Sequence, residues 1–348
     1  MKMQPLDESQ YDEWDRFVAK AKGTIFHNAW WYKAWGVKFD IYARRDENGE
    51  IEAGMPVYIS GFSHIPKVFG VKGLTKPPLT LVNGPLFLDS AKAGRSSRYT
   101  HEKKEALCAI NSLPRADFYD ILLHNFHDDL MPYIWNGFDT QVYYTYVIRK
   151  EDALTWQKDV YESARYNLKK AHKELEAHGY TIETDPPIDE IMPIYLETAE
   201  LKGYLGGLKS FAGMMPGWWK AVKEKDAGRS YLLRDGDGKA LCATMMVWDN
   251  HTAYSMISGM QPKVRNNGNL NMLMWERKIV DSLDMGLDFD FEGSTLIGVE
   301  GFFRRWGGEL CPCYRVTKVP SILTYIGIKG YQYLKHDRNR RWLEEKVP

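Results

Sequence analysis

The chain has 348 residues, 44% of them hydrophobic and 14% aromatic, which allows a sizeable core and is long enough for two domains. Its 46 basic and 46 acidic residues cancel, which excludes the basic excess of a general nucleic-acid binder and leaves room only for local patches. No run approaches ~18 uninterrupted apolar residues, so no membrane span is expected.

The opening "MKMQPLDESQYDEWDRF" has no apolar signal core. The four cysteines, Cys108, Cys242, Cys311 and Cys313, lack zinc spacing and read as small buried residues. A cytoplasmic protein without a structural metal is the expectation. Residues 7–22 read as a helix capped by Asp7, with Tyr11, Trp14, Phe17 and Val18 on one face. "TIFHNAWWYKAWG" predicts a short helix capped by Asn28 and stopped by Gly36. Residues 39–60 read as a hairpin turning at "DENGE". After the proline-marked "KPPLTLVNGPLFL", a helix over 97–113, a strand "ADFYDILLH", a short helix in "DDLMPYIWNGF" and a strand "QVYYTYVIR" complete the first half. His124 and His127 read as loop or surface residues.

A helical run over 154–178, stopped by Gly179, opens the second half. A strand "YTIETD", helices over 188–202 and 214–225, and strands "RSYLLRD", "ALCATMMVWD" and "TAYSMISGM" follow, the first two of these three joined by the turn "GDGK". The next helix carries Leu270, Leu273, Met274, Ile279 and Leu283 as its core face. A strand "LDFDFEG", a helix "GVEGFFRRWG" and a strand "YRVTKV" end the pattern. The alternation predicts a mixed α/β (α+β) protein of two domains of similar plan, 1–150 and 151–348.

Three places carry chemistry. At Arg265, Asn266, Asn267, Gly268 and Asn269, the first amides of a helix lack intrahelical partners and carry partial positive charge. Gly268 admits close approach and Arg265 offers a bidentate charge, so the turn reads as a phosphate site or as an ordinary capped loop. Asp288, Asp290 and Glu292 alternate with Leu287, Phe289 and Phe291, so the acids share the face opposite the core, toward solvent or toward a cleft. Glu292 is the candidate general base and Asp290 a structural acid. Arg165, Asn167 and Lys169 lie on one helical segment, where Arg165 and Lys169 either clamp a phosphate or carboxylate or form a solvated face.

The run Arg265-Asn-Asn-Gly268-Asn-Leu270 follows a strand and opens a helix, and so resembles the phosphate-binding signature of GNAT acyltransferases. "ARYNLKKAHKELEAHGYTIE", "LDFDFEGS", "GVEGFFRRWGGELCPCYRV", "WDRFVAKAKGTIFHNAWWYKAWG" and "PPLTLVNGP" are similar, in order and spacing, to segments of the FemAB-like, double-GNAT branch. That resemblance implies two tandem GNAT-like domains. It implies an N-acyltransferase that moves an acetyl, longer acyl or aminoacyl group from a phosphate-bearing carrier, acyl-CoA or another, to an amine on a small molecule or peptide. It also implies an oxyanion-stabilising gap in a splayed strand at Ser258 and Gly259, and an acceptor-phosphate contact at Lys33. Two positions depart from the family pattern. Leu270 replaces a small residue, and Phe303 stands where relatives carry a lysine, leaving Arg304 as the adjacent cation. The alternatives are an aminoacyl-tRNA-dependent ligase acting on a peptidoglycan precursor, against which the missing lysine weighs, and a binding protein that kept the fold without the chemistry.

Overall fold

The computed structural model describes residues 2–61, 72–90, 94–124, 129–201, 208–209, 211–264, 269–293, 297–320 and 325–326. The N-terminal half contains β1 (Gln4–Pro5), α1 (Tyr11–Lys20), α2 (Ala29–Ala34), the hairpin β2 (Asp40–Arg45) and β3 (Ile51–Gly61), β4 (Lys72–Thr75), β5 (Leu86–Phe87), α3 (Arg95–Ser112), β6 (Phe118–Leu123), α4 (Met131–Trp135) and β7 (Asp139–Ile148). The C-terminal half contains α5 (Glu162–Ala177), β8 (Thr181–Thr184), α6 (Ile188–Leu201), α7 (Met215–Glu224), β9 (Gly228–Arg234), β10 (Ala240–Trp248), β11 (Thr252–Met260), α8 (Asn269–Asp284), β12 (Asp288–Asp290), α9 (Ile297–Phe303) and β13 (Glu309–Lys318). This is the mixed α/β architecture that the alternation predicts.

The local rules account for most of these elements. Tyr11, Trp14, Phe17 and Val18 are all buried, so α1 exists to cover a sheet face with one apolar stripe. Gly36 and Gly179 end their helices at φ +62°, where a side chain would be strained. Asp7 caps a single 3-10 turn, accepting the Ser9 amide at 2.9 Å, and α1 starts only after it.

Three expectations need correction. The helix anticipated over 154–178 starts at Glu162, because Tyr161 is extended with ψ 143°. Asn28 does not cap α2, since its side-chain amide turns back to the carbonyls of Thr24 and Ile25. The last strand begins at Glu309 rather than Tyr314, because β7 offers it an edge from Val147 to Asp139.

All the described strands form one 13-stranded sheet, with β5 pairing β3 off the main path. Along that path β13 lies between β6 and β7, antiparallel to both, although it comes from the other half of the chain. β7 in turn pairs with β12 through Ile148 opposite Phe289 and Val147 opposite Asp290. The halves are interlocked again where α2 packs on α7, with Trp35 stacked on Trp218 at 5.1 Å between ring centroids. α5 and α8 cover the opposite face of the C-terminal strands over Leu270, Leu273 and Met274. No helix among the described residues is long and apolar enough to cross a membrane.

Candidate functional site

The chemistry of the molecule gathers where β12 stops. β11 and β12 run parallel from Thr252 opposite Asp288 to Tyr254 opposite Asp290. β12 then leaves the sheet, while β11 continues to Met260. Two consecutive left-handed residues make the departure, Glu292 at φ 65° and Gly293 at φ 58°. A Cβ on Gly293 would lie 2.1 Å from the Tyr144 carbonyl oxygen, so only glycine fits against β7. Glu292 has no such excuse, and a non-glycine residue held left-handed stores strain of the kind that clusters at working sites. Beyond Tyr254 the β12-side edge of β11 has no partner strand among the described residues, and this stretch includes Ser258 and Gly259.

Below the departure lies a cavity of about 500 Å³, lined by segments of both halves of the chain. Asp288, Asp290 and Glu292 all line it, while Phe289 and Phe291 are buried on the other side. The acids therefore face the cleft, one of the two directions that the alternation allows. Leu122 and Leu123 of β6 and Tyr143 and Val147 of β7 form much of the apolar wall.

The five acids of the lining differ in what holds them. Asp288 Oδ2 pairs with Arg149 at 3.1 Å and Oδ1 accepts the Lys150 amide at 3.0 Å. Arg149 also pairs with Glu309 at 2.8 Å. Asp249 accepts the Ile25, His251 and Thr252 amides and the Tyr254 hydroxyl, tying the N-terminal segment to β11. Glu151 is exposed at the edge. Asp290 Oδ1 accepts the Thr145 hydroxyl and, at 2.7 Å, the Glu292 amide. Glu292 Oε1 is buried and has no hydrogen-bond partner among the described residues. Neither Asp290 nor Glu292 has an ion-pair partner within 4.0 Å among them, although the long-range fields of Lys278 and Lys76 reach Glu292.

Burial sets the electrostatics, because a desolvated carboxylate is penalised relative to its neutral form. Burial raises the Asp290 carboxyl to about 6, against the pull of the Thr145 and Glu292 hydrogen bonds. Burial, and then the adjacent Asp290 charge, push Glu292 well above the ordinary carboxyl range. Lys76, pulled down to about 8 by burial, and Lys278, well below its usual value for the same reason, oppose that push on Glu292. Lys278 is fully buried, lies 3.5 Å from the Trp275 ring centroid and donates to Ser255 Oγ at 2.5 Å. Burial holds the Cys313 thiol up at about 12, so this cysteine in the cavity wall is neutral and a poor nucleophile.

The remaining candidates lie elsewhere. Lys33 pairs with Glu8 at 2.9 Å and rests over Tyr11. Arg165 and Lys169 are exposed on α5, Arg165 donating to the Lys158 carbonyl at 3.1 Å, and Asn167 is half-buried beside them. Arg304 is exposed and 3.7 Å from Glu300, which also accepts the Tyr146 hydroxyl. None of these five is among the described cavity-lining residues, and neither are Ser258 and Gly259 of β11, Ser258 donating to Thr244 Oγ1 at 3.2 Å. Arg265, Asn266, Asn267 and Gly268 lie outside the described residues, as does His127. Asn269 is the first residue of α8, and Leu270 after it is 2% exposed, packed into the core beneath the helix start.

Sequence reasoning missed two residues. His124 lies in the loop after β6, as read, but is buried and lines the cavity, which corrects only the surface alternative. The signal was its position directly after β6. Lys278 falls four residues after Met274 and four before Ser282, so the period of the core stripe already placed it inside. Cys313 also departs from a core reading, being half-buried in the cavity wall.

Residues 162–303, from the start of α5 through α9, match the acetyltransferase (GNAT) domain family. No curated protein matches the chain. The FemX crystal structure superposes with a TM-score of 0.58 at 11% identity, covering 90% of this chain and 97% of that one. A conserved protein of unknown function from Bacteroides thetaiotaomicron gives 0.53 at 10% identity, covering 90% and 98%. L-PGS from Bacillus licheniformis gives 0.53 at 12% identity, covering 94% and 96%. At such identities the likeness is one of fold.

Proposed function

We propose that the chain is a member of the FemAB-like, double-GNAT acyltransferase superfamily and an N-acyltransferase whose amine acceptor binds in the cavity, with Glu292 as the proton acceptor. The observation that carries this reading is the Glu292 carboxyl. It lines a cavity between the two halves, stands beside Asp290, and is left without a hydrogen-bond partner on Oε1. A carboxyl whose charged form is disfavoured by burial is a stronger base than an ordinary one, and such positioned bases contribute about 10²–10⁴-fold.

An acceptor entering as an ammonium surrenders one proton to Glu292 and becomes nucleophilic. Its nitrogen attacks the acyl carbonyl carbon directly. The N–C bond forms as the bond from that carbon to the carrier's sulfur or oxygen breaks, and the second nitrogen proton goes to the leaving group, with Asp290 beside the path. Attack without an acyl-enzyme fits the neutral Cys313 thiol. The developing oxyanion needs donors, and we place them on the edge of β11 after Tyr254 that has no partner strand among the described residues, with Ser258 and Gly259. The carrier's phosphates belong at the start of α8, with Arg265, Asn266, Asn267, Gly268 and Asn269 as proposed contacts. Acyl-CoA is the proposed co-substrate.

The test is incubation with acetyl-CoA and long-chain acyl-CoA against a mixture of primary amines, read by mass spectrometry. N-acylated products that disappear with Glu292→Gln support the reading. Products formed equally by that variant contradict it, as does the absence of product with every donor.

A further inference from the structure

From the balance of charge in the cavity we infer that the acceptor is a cationic primary amine carried on an apolar or aromatic body, without a carboxylate next to the nitrogen. This deepens the acyltransferase reading and rests on the same site.

Two carboxyls of the lining keep free acceptor capacity: Glu292, whose buried Oε1 has no partner among the described residues, and Asp290, whose two hydrogen bonds both fall on Oδ1. Both are carboxyl groups, and a ligand that satisfies their free oxygens must bring hydrogen-bond donors. A ligand carrying positive charge also relieves the unfavourable approach of two carboxylates, since an opposite charge nearby favours the ionised form. An ammonium supplies three donors and a compact charge.

The cations of the lining are engaged or at the edge. Arg149 is shared between Asp288 and Glu309. Lys22 pairs with Asp89 at 3.6 Å, both being exposed, and Lys150 is exposed as well. Lys76 and Lys278, which act on Glu292 from a distance, are not among the described lining residues. A carboxylate carried beside the amine would therefore enter near Asp290 and Glu292 without a counter-charge, at an unpaired-charge penalty. The remaining wall of Leu122, Leu123, Tyr143 and Val147 asks instead for apolar surface.

Isothermal titration calorimetry on the whole chain tests this without any acyl donor. Three probes share one ring: phenethylamine, 3-phenylpropionate and phenylalanine. Phenethylamine is expected to bind at least ten-fold more tightly than either of the others, and Glu292→Gln to weaken it at least ten-fold. Asp290→Asn serves as the second variant should Glu292→Gln fail to fold, with a loss in the same direction. The inference is overturned if 3-phenylpropionate or phenylalanine binds as tightly as the amine, if no probe binds, or if folded variants keep the wild-type affinity. An amine that binds but is never acylated refutes the transferase reading and leaves this inference standing. A transferase that acylates carboxylate-bearing amines equally well does the reverse.

Discussion

The rim and the floor of the cavity carry the same side chain and treat it in opposite ways. At the rim, Asp288 is held by Arg149 and by the Lys150 amide. Two and four residues further on, Asp290 and Glu292 sit deeper, with no cation within ion-pair distance among the described residues. Burial raises the Asp290 and Glu292 carboxyls, and no ion pair among the described residues opposes it. The contrast separates an acid that fastens β12 to β7 from acids left available to a ligand.

The sharpest way to break this comparison is Glu292→Gln, which keeps the shape and removes the base. Product formation from acyl-CoA and a primary amine should fall by about 10²–10⁴-fold. Gly293→Ala attacks the scaffold instead. Its Cβ meets the Tyr144 carbonyl at 2.1 Å on a left-handed residue, so a stability loss above about 2 kcal/mol is expected by denaturant titration. Asp290→Asn should lower activity by about ten-fold, an intermediate effect for a group beside the path rather than on it. Its stability carries a pH signature. The folded chain holds the Asp290 proton to about 6 against 3.8 unfolded, so that contribution is full below 3.8 and is lost as pH rises through 6. The variant should gain on the wild type across that window, measured by melting temperature. Arg149→Met at the rim should cost about 0–1 kcal/mol, because its ion pairs are partly solvated, and should leave activity within a few-fold. Lys33→Ala and Arg165→Ala, outside the described lining, should change activity least, by less than about two-fold.

Much of this contrast was legible beforehand. The alternation of Asp288, Asp290 and Glu292 with buried phenylalanines sets the acids on one face, because side chains in a strand alternate. What alternation could not supply is which acid meets a cation, since Thr145 lies on β7 and Arg149 just after it, 145 and 139 residues from their partners in the chain. The insertion of β13 between β6 and β7 left no local mark either, as pairing over such separations is decided by tertiary packing. The basic cluster on α5 had two readings, a clamp and a solvated face. Arg165 and Lys169 have the spacing of a clamp, yet the helix points them to solvent. The burial of His124 was hidden because a loop histidine reads as solvated until the opposite wall of the cavity is known.

The most direct measurement is the pH dependence of kcat/KM for acylation of a primary amine, compared between the wild type and Glu292→Gln. If Glu292 takes the amine proton, the wild-type profile rises with an inflection well above the ordinary carboxyl range, and the residual activity of the variant lacks it. The same inflection in both proteins would show that another group does the work and that the free carboxyl at the cavity floor is not the base.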